Sequence, residues 1–245
     1  MLSIFCIVFL VPKEIFKTKL SEIFNFLRNY QQYIFIILGV VIFHLVEVNI
    51  IDPITTDWVS VDFAYVLEGF EGNILLWFRY NWTPVFVYFF VFIYIAVYPF
   101  TLWFSPVYFL ISGKKRSLKI LSYGLLVIYA VSLPFYLFVP VTNVYKFYGF
   151  ESALEFVIPS IDSFFYSTTT VNNCLPSLHI AMSILIAWCM YLTGNKKLSL
   201  FTFFSMVFVA FSVIYLSIHW ITDVLFGILL SVAVIFLLNR YIEDV

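Results

Sequence analysis

The sequence predicts an all-α protein, an integral membrane bundle of six transmembrane helices with both termini cytoplasmic, and three observations carry that prediction. First, 63% of the 245 residues are hydrophobic and 22% aromatic, whereas only 11% are charged, a balance foreign to soluble domains. Second, the chain contains six apolar stretches, each near the ~20 residues a helix needs to cross ~30 Å of hydrocarbon. Third, the basic residues collect on alternate connections. The formal net charge of −1 comes with no basic patch, and no nucleic-acid partner is expected.

Residues 1–12 are apolar but too short to span at ~1.5 Å per residue. Positive charges follow this run instead of preceding it, which argues against a signal sequence. Residues 13–32 place Lys13, Lys17, Lys19 and Arg28 among Ile, Phe and Leu at helical spacing, the pattern of a basic amphipathic helix on an anionic leaflet. Residues 1–32 are therefore read as an interfacial segment and 33–245 as the six-helix domain. The spans fall near 33–51, 84–112, 119–140, 176–194, 198–217 and 221–239. Pro99 and Pro106 interrupt the second and predict a kink or a short re-entrant piece. Two outer loops, 52–82 and 141–175, connect the first span to the second and the third to the fourth.

Eleven of the thirteen basic residues lie on one side of these spans: the four above, Lys114, Lys115, Arg116, Lys119, Lys196, Lys197 and Arg240. The positive-inside rule makes that side cytoplasmic. The other side holds Asp52, Asp57, Asp62, Glu68, Glu71, Glu151, Glu155 and Asp162, with Arg79 and Lys146 its only cations. His179, His219 and Asp223, far apart in sequence, all fall at the outer, extracytoplasmic ends of spans four, five and six.

Three cysteines, two of them in apolar runs, imply no disulfide framework. The histidines lack the companions of a zinc site and no GxxxxGK[ST] loop occurs, so neither a metal nor a cofactor is expected. Ionisable groups at a membrane edge are expensive and call for a reason. A neutral imidazole attacks phosphorus when a carboxylate fixes its tautomer and stabilises the cation that develops, and a second histidine can protonate the departing oxygen. In SVIYLSIHWITD (212–223), His219 and Asp223 stand four apart, one turn of a helix. They suit the nucleophile and its orienting carboxylate, and His179 in CLPSLH (174–179) suits the acid. Pro176, Ser177 and Leu178 read as a helix start, whose free N–H groups and dipole favour phosphate oxygens.

These residues resemble the type 2 phosphatidic acid phosphatase superfamily, six-helix membrane enzymes with the signatures KxxxxxxRP, PSxH and SRxxxxxHxxxD. Pro176, Ser177 and His179 match the second signature; Ser212, His219 and Asp223 match the third. The resemblance implies that His219 becomes phosphorylated, that Asp223 orients it and that His179 protonates the leaving group. Val213 stands where the signature has arginine, and no KxxxxxxRP string precedes the second motif. The inositol phosphorylceramide synthase-like branch also lacks that arginine, and its SxxYLxxHxxxD pattern is similar to Ser212, Tyr215, Leu216, His219 and Asp223.

Arg79 is the first candidate for a compensating cation and Lys146 the second; as alternatives, Arg79 anchors the interface beside Trp77 and Trp82 and Lys146 is a solvated loop residue. Asn173, with Asn172, either donates to phosphate oxygens or serves a turn and cap. His44 and Glu47, three apart in the first span, read as a polar patch toward the interior or the head group, or as structural. The expected function is a membrane lipid phosphatase or phosphotransferase acting on a lipid phosphate or phospholipid, with water or an alcohol such as inositol or a lipid hydroxyl as acceptor. The rival expectation is a non-catalytic lipid-binding or transport-related bundle.

Overall fold

The computed structural model describes residues 20–242; the expected interfacial segment lies outside them up to residue 19. Every regular element among the described residues is helical, and the one β-type pairing is an isolated bridge between Val141 and Asn173. The first span starts earlier than its hydropathy predicts. Helix α1 (Leu20–Val46) runs unbroken through residue 32 into a π-helical turn, Glu47–Ile51, and then α2 (Asp52–Val59). Nothing in the helix marks a boundary at residue 33, and α2 takes the first part of the expected outer loop.

Among the described residues, five helical runs are long and apolar enough to cross a membrane: Phe24–Val59, Pro84–Ile111, Lys115–Phe138, Lys196–Tyr215 and Ile221–Tyr241. The remaining expected span is a shorter apolar helix, Leu178–Leu192, of 15 residues. The elements after α2 are α3 (Ala64–Tyr80), α4 (Pro84–Phe92), α5 (Tyr98–Ile111) and α6 (Lys115–Phe138). Three short helices follow, α7 (Val144–Phe147), α8 (Ala153–Val157) and α9 (Ile161–Phe165), then α10 (Leu178–Leu192), α11 (Lys196–Tyr215) and α12 (Ile221–Tyr241).

The interruption expected in the second span is a π-helical turn, Ile93–Val97, between α4 and α5. Pro99 explains its place: the ring has no N–H to give and would collide with the carbonyl four residues back, at Ile95. A widened turn there absorbs both defects. The first span repeats the device, with Pro53 following its own π-turn. Pro106 sits within α5 without ending it.

Short α10 is the hub, packed against α6, α11, α12 and α5. Close approach depends on two glycines. A Cβ at Gly124 of α6 would lie 2.6 Å from Leu185 of α10, and one at Gly227 of α12 would lie 2.7 Å from the Ser177 carbonyl oxygen. Small residues at helix contacts let backbones meet this closely inside a membrane. The end of the bundle that carries Trp220 has an apolar plug in which Ala64 and Leu75 of α3, Val141, Val144, Cys174 and Trp220 pack together. Backbone bonds tie the loop to its neighbours: Val141 N–H donates to the Asn172 carbonyl at 2.7 Å, and Tyr145 N–H to that of Ser217 at 2.9 Å.

Gly227→Ala presses a methyl onto backbone that has nowhere to move, and is expected to cost about 1–3 kcal/mol, as overpacking does. Gly39→Ala, where an added Cβ meets nothing, is expected to leave thermal stability unchanged or to raise it slightly, as alanine is the better helix former. Melting curves of the two variants in detergent check this contrast.

Candidate active site

His219 stands in the turn between α11 and α12. Leu216 ends α11, and Ser217 follows in the left-handed region at φ 58°. The chain is then gripped at one point, because the carbonyl of Val213 accepts from both the Ile218 and His219 amides at 2.9 and 3.0 Å. Position 213 therefore contributes a buried apolar side chain and a backbone acceptor, in place of the arginine of the phosphatase signature.

Helix α12 begins at Ile221, so His219 precedes it and does not share its face with Asp223 as the four-residue spacing predicts. Asp223 instead folds back over the helix start. Its Oδ2 accepts from the Trp220 backbone N–H at 2.9 Å and lies 3.2 Å from His219 Nδ1. Both side chains are buried, His219 at 4% exposure and Asp223 at 0%. Glu71 of α3 supports the same helix start by accepting from the Thr222 N–H at 3.3 and 3.2 Å. Burial raises the Glu71 carboxyl above its ordinary value against the opposing pull of Thr222.

His179 is the second residue of α10, and its Nδ1 lies 3.2 Å from His219 Nε2. With His219 Nδ1–H directed to Asp223, Nε2 carries the lone pair, and the proton of this contact belongs to His179 Nδ1. The His179 ring packs against Tyr94 and Tyr98, with each pair of centroids 4.9 Å apart. Burial pushes the His219 imidazole down from its ordinary value, toward the neutral form that a nucleophile needs.

The two histidines open onto a cavity of about 670 Å³. Its apolar end is built from α1 and α5, including Ile37, Val40, Leu102 and Trp103; its polar end comes from the loop, including Asn143, Tyr145, Tyr166 and Thr170. No Lys or Arg lines it. This is an amphiphile-shaped site.

The other residues singled out from sequence are placed variously. Ser177 is the N-cap residue of α10, as expected, and its N–H donates to the Asp223 carbonyl at 3.0 Å. Its hydroxyl is buried without a partner, away from the cavity wall. The Pro176 carbonyl accepts from the Tyr136 hydroxyl at 2.7 Å, and the Ser212 hydroxyl donates to the Val209 carbonyl of its own helix at 2.8 Å. Arg79 lies over the rings of Trp82 and Phe150, at 3.7 and 4.8 Å, away from the cavity wall. Lys146 is nearer, with Nζ 6.0 Å from the rings of Tyr145 and Tyr166. Asn173 lines the cavity, but its amide nitrogen is committed to Glu47 at 2.9 Å.

Sequence reasoning missed Tyr94, Tyr98 and Cys174. The ligand atoms of Cys174, His219 and Asp223 lie within 4.8 Å of one another, so the histidine does have the companions a metal would need. Burial, reinforced by Asp223 and Asp62, pushes the Cys174 thiol well above its ordinary value, and a metal would have to displace that proton.

A family model described as the PAP2 superfamily matches residues 74–245. The chain belongs to the PAP2 superfamily, and its apolar helices fit the membrane lipid phosphatases of that group. No curated protein and no solved structure gives a significant match.

With Cys6 and Cys189 replaced by alanine, Cys174 is expected to resist maleimide in the folded protein and to react fully once denatured, because a buried, protonated thiol is inert. Mass spectrometry of the labelled protein checks it; rapid labelling in the native state would contradict the burial.

Proposed function

We propose that this protein is a metal-independent lipid phosphatase or phosphotransferase that cleaves a lipid phosphoester through a phosphohistidine. The observation that carries the reading is the chain of contacts Asp223 Oδ2 to His219 Nδ1, then His219 Nε2 to His179 Nδ1, at the wall of an amphiphile-shaped cavity. The carboxylate holds the tautomer that aims the His219 lone pair at its target, and the second imidazole brings a proton to the same place.

Phosphorus enters between the two rings. At 3.2 Å the histidines cover each other, and an in-line phosphoryl group needs roughly twice that separation, since reacting atoms approach to ~3–3.5 Å on each side. The substrate therefore replaces the His179–His219 contact: as His219 Nε2 bonds to phosphorus and the bond from phosphorus to the lipid oxygen breaks, His179 enters as the imidazolium, gives a proton to that oxygen and is left neutral. The opening amides of α10 and its dipole face the equatorial oxygens. Lys146, at the loop end, supplies the nearest positive charge.

In this reading all six apolar helices span, both termini are cytoplasmic, as the distribution of basic residues supports, and the site faces the extracytoplasmic leaflet. The valine at 213, with Tyr215 and Leu216 before His219, favours the inositolphosphotransferase-like branch, in which an alcohol such as inositol or a lipid hydroxyl receives the phosphoryl-bearing group.

The purified protein, given a panel of ³²P-labelled phospholipids and isoprenoid phosphates with and without inositol, is expected to form an acid-labile phosphoenzyme. Free phosphate among the products identifies hydrolysis, and a new head-group lipid identifies transfer. His219→Ala is expected to abolish labelling, and Asp223→Asn to slow turnover by up to ~10⁴-fold, as loss of the orienting aspartate does in serine protease triads. Absence of label with every donor would favour the non-catalytic bundle, and wild-type rates in Asp223→Asn would refute the orienting role. His179→Ala is expected to lose ~10²–10⁴-fold with lipid esters but much less with p-nitrophenyl phosphate, whose leaving group needs no proton. Equal losses on the two substrates would remove the acid role.

A further inference from the structure

A second histidine–carboxylate pair faces the same cavity. In the first span, His44 Nδ1 lies 3.5 Å from Glu47 Oε2. Glu47 is fully buried at 0% exposure, where a carboxylate is expensive. Its position at the start of the π-turn, upstream of Pro53, sets it apart from the regular helix. Two hydrogen bonds hold it, from the Tyr129 hydroxyl to Oε2 at 3.1 Å and from the Asn173 amide to Oε1 at 2.9 Å, while His44 Nδ1 stands beside it without a hydrogen-bond partner. Asn173 leads directly into the loop that carries His179, so the pair is fastened to the catalytic motif itself. His44, Tyr129 and Asn173 line the cavity together with His179 and His219.

The surroundings of that wall are those of a site for a neutral hydroxyl. The hydroxyls of Tyr94 and Tyr145, which are 3% and 2% exposed, line the cavity without a hydrogen-bond partner, as do Thr170 Oγ1 and Asn173 Oδ1. Buried polar atoms of this kind want a ligand that both donates and accepts. His179 has no carboxylate among its contacts, which are Tyr94, Tyr98 and His219. His44, 30% exposed, has the Glu47 carboxylate 3.5 Å away to balance the charge of a proton that it takes up.

We propose that His44, with Glu47 beside it as counter-charge, is the general base that activates the acceptor hydroxyl in the second half of the reaction, the breakdown of the phosphohistidine. This rests on the phosphohistidine reading above. The acceptor oxygen, of water or an alcohol, forms its bond to phosphorus as the bond from phosphorus to His219 Nε2 breaks, the electron pair returning to Nε2. The acceptor proton passes to the free nitrogen of His44, and the resulting imidazolium is balanced by Glu47 until the proton leaves to solvent. Acid and base duties are thereby divided between His179 and His44 instead of falling on one ring.

Quenched-flow labelling with ³²P-phosphatidic acid tests it by separating formation of the phosphoenzyme from its decay. In His44→Ala and Glu47→Gln the decay constant is expected to fall about 10²-fold, within the range for loss of a general base, so that label accumulates on His219 at steady state. Hydroxylamine, which attacks without a base, is expected to restore decay in His44→Ala. Decay constants equal to wild type in both variants, or slowed decay that hydroxylamine does not restore, would overturn the base role and leave a structural tie in its place. Should Glu47→Gln fail to fold, His44→Ala and His44→Gln carry the test alone. Failure of the wild type to label at all would instead sink the phosphohistidine reading, and this inference with it.

Discussion

One carboxylate oxygen organises the end of the bundle where α10 and α12 begin. Oδ2 of Asp223 receives the Trp220 backbone N–H, which starts α12, and lies against Nδ1 of His219, which sets the direction of that ring. Helix geometry and imidazole orientation are thus one interaction, made between two buried side chains. The backbone of the same residue accepts the Ser177 N–H, joining the start of α12 to the start of α10. Gly227, one turn on, lets those two helix starts approach. His179 is delivered to His219 by this junction more than by any contact of its own side chain.

The cavity explains why such a junction sits beneath a cap of loop. Its walls change from aliphatic side chains of α1 and α5 to tyrosines, asparagines and threonines of the loop, matching the change from acyl chain to head group along a phospholipid. Charge is sparse along it, so recognition of anionic oxygens falls on backbone N–H groups, helix dipole and a lysine at the margin. Such a site would hold phosphate less firmly than a cage of guanidinium groups, which fits the phosphoenzyme proposed above.

Much of this was legible in the sequence, because hydropathy and short-range spacing are local properties. The second, third, fifth and sixth expected spans appear as long apolar helices within a few residues of their predicted bounds, the fourth is a helix of 15 residues, and α10 starts just after Pro176 and Ser177, where the sequence announces a helix start. The relation of His219 to Asp223 was legible as a pairing but not as a geometry: the side chains meet because Asp223 folds back over a helix start. Other features depend on partners distant in sequence. Glu47 meets Asn173 across 126 positions, and Cys174 meets Ile218 across 44. Arg79 looked available for phosphate because it is one of two outer cations; Trp82 and Phe150 offer its guanidinium two aromatic faces, a common resting place for arginine. The early start of α1 was hidden because its first turns are amphipathic, and composition distinguishes poorly between a helix lying on a membrane and one entering it.

The brevity of α10 has a consequence for the surrounding lipid. Fifteen residues cover ~22 Å, well short of the ~30 Å hydrocarbon layer, whereas α6, α11 and α12 are 24, 20 and 21 residues long. The helix at the centre of the packing therefore falls short of the layer that its neighbours are long enough to cross. A bilayer of greater thickness enlarges that shortfall. Chain length and sterol content of the host membrane thus enter the chemistry as a mechanical variable, through hydrophobic mismatch.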